Sequence, residues 1–430
     1  MKTTLIEKGK SMTQLISAKN GQLTPEIEAV ALKEGISPKD LLEKVAEGKV
    51  VILKNINHKN VIPTGIGEGL TIKINANIGT SNQRSSVQEE VCKLKVVEKY
   101  GADAVMDLST GKDIDKVRRE LISRCNIPFG TVPIYQAGVE TINIEDSILE
   151  LTKDKLFEAI EKHCRDGVDF ITVHCGVTKN VVKALKEQQR VTGIVSRGGS
   201  MLASWISRHN EENPLYEYYD ELLDIAKTYD TTLSLGDGLR PGCGADAGDR
   251  AQVCETIVLG ELINRARKAG VQAMVEGPGH VPLNLIPGMM ETIKTLTQGA
   301  PLYVLGPLVT DIAPGYDHIT AAIGGTLAAY HGADFLCYVT PSEHIGLPDA
   351  EQVKVGIITS KIAAHSADVA KGNKKAIERD RQMSKARVEL DWTKQSEFAI
   401  DKDVFEKINN GSPCTMCGEY CSMKLVKQYM

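Results

Sequence analysis

Thr232-Leu-Ser-Leu-Gly-Asp-Gly-Leu-Arg-Pro-Gly242 holds the pattern from which the fold can be read. A short apolar run stops at Gly and Asp, and a loop carrying an Arg follows. Such a run suits a strand buried on both faces, with a polar loop at its C-terminal end. Val50–Leu53, Thr71–Asn75, Ala104–Asp107, Phe129–Ile134, Phe170–Val173, Gly193–Val195, Gln272–Val275, Leu302–Leu305 and Phe335–Val339 are runs of the same kind. Between them lie amphipathic stretches. Val87, Val91, Leu94 and Val97 recur at helical spacing, as do Leu156, Ile160 and Cys164. Strands alternating with helices predict an α/β fold with a parallel sheet. Ten runs exceed the eight that close a (β/α)8 TIM barrel, so the first run and one other are expected outside it.

The run ends carry the functional signal. They read Asn75-Ala-Asn-Ile-Gly-Thr-Ser81, Met106-Asp-Leu-Ser-Thr110, Val173-His-Cys-Gly176 and Ser196-Arg-Gly-Gly199. Further along come Glu276-Gly-Pro-Gly-His280, Thr310-Asp-Ile-Ala-Pro-Gly-Tyr-Asp-His318 and Thr340-Pro-Ser-Glu-His344. A (β/α)8 barrel places its active site on the loops after the strands, so these residues are expected on one rim. Arg197 and Arg240, each beside glycines, suit a phosphate held by backbone N–H groups and a forked guanidinium. An ion pair from these arginines to Asp237 or Asp249 is the structural alternative. His174, His280, His318 and His344 fall at run ends, and two such histidines suit a divalent metal with open positions. His58, His163, His209, His331 and His365 read as structural or solvated. Gly65-Ile-Gly-Glu-Gly-Leu70 has glycines but no helix after them, so it reads as a turn rather than a dinucleotide loop.

The flanks differ from the centre. Residues 1–48 read as helices opened by Thr24-Pro25 and Ser37-Pro38, forming a lid or dimerisation segment. The barrel is expected over 49–348, helices over 349–408 and a cysteine tail over 409–430. In that tail Cys414, Cys417 and Cys421 lie within eight positions. Three thiolates can hold a [4Fe–4S] cluster with one iron open, or zinc completed by a distant ligand. The chain has 430 residues, 42% hydrophobic and 25% charged, with net charge −5 and no Lys/Arg block. That composition excludes a nucleic-acid footprint and any apolar run of membrane-spanning length. Ten cysteines with no signal-like segment predict a reducing cytoplasm. Residues alone leave open a radical enzyme, a zinc lyase or hydrolase barrel, and a zinc- or redox-responsive binding protein.

The run ends and the tail, in this order, closely resemble the phosphomethylpyrimidine synthase (ThiC) family from about Val51 to Lys424. The resemblance implies a radical S-adenosylmethionine enzyme acting on 5-aminoimidazole ribotide. Its products would be 4-amino-5-hydroxymethyl-2-methylpyrimidine phosphate, formate and carbon monoxide. It implies substrate contacts at Asn77, Met106, Tyr135, His174, Ser196, Arg197, Gly198, Asp237, Gly238, Leu239, Arg240, Glu276 and Tyr303, with Glu276 and His174 catalytic. His280 and His344 would hold zinc or another divalent metal, and Cys414, Cys417 and Cys421 the [4Fe–4S] cluster. A homodimer and an electron donor of the flavodoxin or ferredoxin type are also implied. Two motifs depart from the family pattern. The tail is C-x2-C-x3-C, where C-x2-C-x4-C is expected, and Gly242-Cys-Gly-Ala-Asp-Ala-Gly-Asp249 has small residues where larger ones are expected. These departures keep open a close paralogue, 5-hydroxybenzimidazole synthase, which takes the same ribotide.

Overall fold

The computed structural model describes residues 12–84, 86–409 and 416–429. Its strands, in chain order, are β1 (Val50–Leu53), β2 (Thr64–Gly67), β3 (Lys73–Ile78), β4 (Ala104–Asp107) and β5 (Phe129–Thr131). There follow β6 (Phe170–Val173), β7 (Thr232–Leu235), β8 (Ala273–Gly277), β9 (Leu302–Leu305) and β10 (Phe335–Cys337). Strands β3 to β10 close into a barrel in the order β10-β3-β4-β5-β6-β7-β8-β9, every pair parallel. This is the expected (β/α)8 barrel. The strands are buried along nearly their whole length because helices cover them outside and side chains fill them inside. Phe170 and Phe335 meet edge to face inside, and Tyr303 tilts against Phe335 at 4.4 Å between ring centroids.

Two strand expectations need correction. Gly193–Val195 forms no strand; it is irregular chain leading into the helix Arg197–His209. Ser196 caps that helix by accepting a hydrogen bond from Gly199 N at 3.1 Å, and local capping outweighs a two-residue β-branched run. Conversely, Thr64–Gly67, read as part of a turn, is a strand antiparallel to β1. Gly67 lies at φ +139°, and a Cβ there would stand 2.1 Å from Lys49 O, so glycine is what permits the pairing.

The N-terminal helices Gln14–Lys19, Pro25–Glu34 and Pro38–Ala46 pack with β1 around Ile27, Val30, Leu41, Val45 and Ile52. Thr24 caps the second of them by accepting from Ile27 N. This unit seals the N-terminal end of the barrel. Ile52 exchanges two hydrogen bonds with the Gln272 amide, Gln14 N donates to Asp230, and Asn55 donates to Val168 O. Gln272, Asp230 and Val168 all stand just before strands, so the segment covers the end opposite the rim and is not a lid over it. The C-terminal flank begins with a capping box, Asp349 with Gln352, on the helix Ala350–Ala370. The charged stretch after it breaks into Lys374–Glu389 and Trp392–Phe398, because Leu390 turns left-handed (φ +56°) and Asp391 caps the next helix. Among the described residues no helix is long and apolar enough to cross a membrane.

Candidate active site

Strand register sets the site's residues side by side. Asn75 pairs with Cys337, Asn77 with Met106, Thr172 with Ser234 and Glu276 with Tyr303. They surround, directly or from just behind the wall, a cavity of about 360 Å³ to which all eight barrel strands, or the loops just after them, contribute. Asn77, Met106, Tyr135, His174, Arg197, Asp237, Arg240, Glu276, Tyr303, His280 and His344 line it. Ser196, Gly198, Gly238 and Leu239 stand behind the wall. The Ser196 hydroxyl meets His174 Nε2 at 3.1 Å, and a Cβ on Gly198 would stand 2.3 Å from the His174 ring. Gly238 N and Leu239 N both donate to Glu255 at 2.8 Å, so these two amides are already satisfied.

The cavity brings guanidinium and carboxyl groups together. The Arg197 guanidinium lies 4.7 Å over the Tyr135 ring, and Arg240 Nη1 makes a long 3.3 Å contact with Asp237 Oδ1. Among the described residues these are the named contacts of the two guanidinium groups, which leaves most of their donors for a ligand. Asp249, the other carboxylate considered for them, pairs with Arg190 instead. Burial pushes the Asp237 carboxyl well up, against the pull of Arg240, and its Oδ2 is buried without a partner. Glu276 Oε1 accepts from Thr172 and Ser234 at 2.8 Å each. Burial raises the Glu276 carboxyl despite those bonds. Burial, with Arg240 nearby, pulls His174 down to about 3, so its ring is neutral at pH 7.

At the lip, His280 and His344 face each other with ring centroids 5.1 Å apart. Each holds a carboxylate on Nδ1: Asp311 at 2.7 Å for His280 and Asp317 at 3.0 Å for His344. A carboxylate on Nδ1 fixes the tautomer whose Nε2 lone pair can bind a metal. Burial lowers His280, against the influence of Asp311, and so keeps it a neutral ligand. The pair thus presents two imidazole ligands of the kind a divalent cation takes, and among the described residues no group of three or more His, Cys, Asp or Glu is placed to hold a metal ion. His318 departs from the expected rim group: it sits in the first turn of the helix Asp317–Tyr330 and does not line the cavity. His58 and His163 are buried in hydrogen-bond networks with Asp169 and with Arg118, Gln136 and Thr131.

Several site residues escape sequence reading. Asn75 bonds both Asn77 and the Tyr303 hydroxyl, and Thr172 holds Glu276. Both lie two positions from a recognised residue on the same strand face, so a period of two would have found them. Cys337, at the end of β10, lines the cavity and accepts from Asn77 Nδ2 at 3.0 Å. Glu343, Asp311 and Asp317 had no signal beyond neighbouring a histidine or a loop. In the tail, Cys417 is exposed and Cys421 half-buried, whereas Cys414 lies outside the described residues. Burial pushes the Cys164 and Cys337 thiols to about 12 and those of Cys125 and Cys175 further up.

The description "Radical SAM ThiC family" fits the chain over residues 13–428. A phosphomethylpyrimidine synthase of Desulforamulus reducens is 58% identical over 425 residues, covering 97% of this chain and 98% of its own. Those of Caldanaerobacter subterraneus subsp. tengcongensis and Dehalococcoides mccartyi are each 55% identical at the same coverage. The barrel, the rim and these likenesses agree, and the chain belongs to the radical S-adenosylmethionine ThiC family.

Proposed function

We propose that this enzyme converts 5-aminoimidazole ribotide to 4-amino-5-hydroxymethyl-2-methylpyrimidine phosphate, with formate and carbon monoxide as co-products. The observation that carries the reading is one cavity lined by Arg197 and Arg240, by the carboxyls of Asp237 and Glu276, and by His280 and His344. Arg197 and Arg240 present forked donors to the substrate phosphate, and the Tyr135 ring keeps Arg197 flat above it. Glu276, anchored through Oε1, turns its other oxygen to the substrate and gives or takes a proton there. Neutral His174, steadied by Ser196, offers a hydrogen bond without adding charge beside Arg240. Asn77 and Tyr303 are held by Asn75, so their polar groups do not reorganise when substrate enters.

His280 and His344 would hold zinc or a similar divalent ion, with open positions for water and substrate. Cys414, Cys417 and Cys421 would hold the [4Fe–4S] cluster, which when bound supplies the electron that cleaves S-adenosylmethionine to methionine and a 5′-deoxyadenosyl radical. A small flavodoxin- or ferredoxin-type donor would deliver that electron, in the cytoplasm, to a homodimer. The deciding experiment is product analysis after one anaerobic turnover of the reconstituted enzyme with 5-aminoimidazole ribotide. The pyrimidine phosphate is the expected product. Recovery of 5-hydroxybenzimidazole would replace this reading with that of the paralogue.

A further inference from the structure

The loops bearing Arg197 and Arg240 belong to different strands, yet they are joined by a buried ionic tie that neither arginine enters. Arg190, with a side chain 3% exposed, grips Asp249 through two parallel contacts: Nε to Oδ2 at 2.6 Å and Nη2 to Oδ1 at 2.8 Å. The same guanidinium reaches both loops. Nη1 donates to Gly193 O at 3.1 Å, on the segment that leads to Ser196 and Arg197. Nη2 donates to Leu239 O at 2.8 Å, one residue before Arg240. Glu255 holds the amides of Gly238 and Leu239, so the Leu239 residue is fixed at both its N–H and its C=O.

A second carboxylate works in parallel. Asp246 accepts from Val191 N at 2.8 Å, Thr192 N at 3.0 Å and the Thr192 hydroxyl at 2.7 Å. The backbones also abut. A Cβ on Gly199 would stand 2.2 Å from Gly238 O, so the start of the arginine helix rests directly on the facing loop.

We infer that Arg190, Asp246 and Asp249 are positioning residues that lock these two loops into one preformed, two-arginine phosphate site. The inference rests on the proposed role of Arg197 and Arg240 as phosphate ligands. Locking matters because a bidentate arginine contact is lost when the fork is misplaced, whereas the net charge of the cavity is unchanged. The stretch Gly242–Asp249, which departs from the family pattern, is thus the stretch that supplies both carboxylates of the tie.

The test compares binding of 5-aminoimidazole ribotide with that of its dephosphorylated riboside. Equilibrium calorimetry on the anaerobically reconstituted enzyme gives the ratio of the two affinities. Asp249→Asn removes the charge but keeps an oxygen that can cap Gln252 N, which Asp249 now accepts at 2.9 Å. Arg190→Lys keeps the charge but loses the fork. Both variants are expected to lower the ribotide-to-riboside preference about tenfold, with riboside affinity held within about twofold. Asp246→Asn, which loosens the second contact between the two loops, gives the same reading if either of the others fails to fold. An unchanged preference in folded variants overturns the inference, as does an equal loss of both ligands, which marks general damage. A wild type with no preference for the ribotide removes the phosphate reading itself, and the tie with it.

Discussion

Asp311→Asn isolates the part of the histidine lip that the metal would feel without touching it. Asp311 Oδ1 meets His280 Nδ1 at 2.7 Å, and Oδ2 accepts from Gly244 N at 2.9 Å, so both oxygens are used as acceptors. Asparagine has one acceptor and one donor in the same space. If its oxygen keeps His280, its NH2 faces the Gly244 N–H. If it is turned round, the NH2 faces Nδ1 and drives the proton to Nε2, the nitrogen a metal needs. Either way one charge-assisted bond is lost, at a cost of about 1.5–3 kcal/mol. Loss of such an outer partner weakens metal binding about 10- to 100-fold, which is about 1.4–2.8 kcal/mol and matches that figure. The assay is competition for zinc against a chromophoric chelator, with cluster-free protein, so that turnover is not involved. His280→Ala sets the floor. A zinc affinity for Asp311→Asn within about twofold of wild type would refute the reasoning.

Other substitutions probe separate parts of the molecule. Asp230, buried at the closed end with its carboxyl raised to about 7 by burial, accepts from Gln14 N and lies at φ +50°. Its raised value means the folded state holds the proton longer than the unfolded chain, so folding loses stability as pH rises from about 4 to about 7. Asp230→Asn keeps the acceptor and tolerates the left-handed backbone, so its melting temperature should exceed that of wild type at pH 8 and converge with it at low pH; an equal difference at both pH values would contradict this. Arg197→Lys and Arg240→Lys should each weaken ribotide binding by about tenfold despite the retained charge, measured by calorimetry, and affinities within about twofold would move the phosphate elsewhere. Cys417→Ala and Cys421→Ala should each lower bound iron after anaerobic reconstitution and abolish 5′-deoxyadenosine formation, and normal formation in either variant would remove the tail from cluster binding.

The sequence by itself was enough for the barrel and for most of the rim. Alternation of apolar runs with helical spacing is local, and once eight parallel strands close, their C-terminal ends must converge. Asn77, Met106, His174, Asp237 and Glu276 therefore reach one cavity because each stands at or just after a strand end. The tail's candidate ligands are equally local, since Cys414, Cys417 and Cys421 lie within eight positions of one another. Local pattern also misled where two local forces compete: Ser196 capping turned Gly193–Val195 away from a strand, and Gly67 let a glycine-rich stretch pair with β1. What only the tertiary structure decided is which polar group faces which across the barrel. His280 finds Asp311 and Arg190 finds Asp249, partners 31 and 59 positions apart, on loops that follow different strands. Cys337 becomes a cavity wall because closure sets β10 beside β3 and brings its thiol to Asn77. Side-chain partners of this kind depend on the register and twist of the closed sheet, and a one-dimensional pattern of period two or 3.6 carries neither.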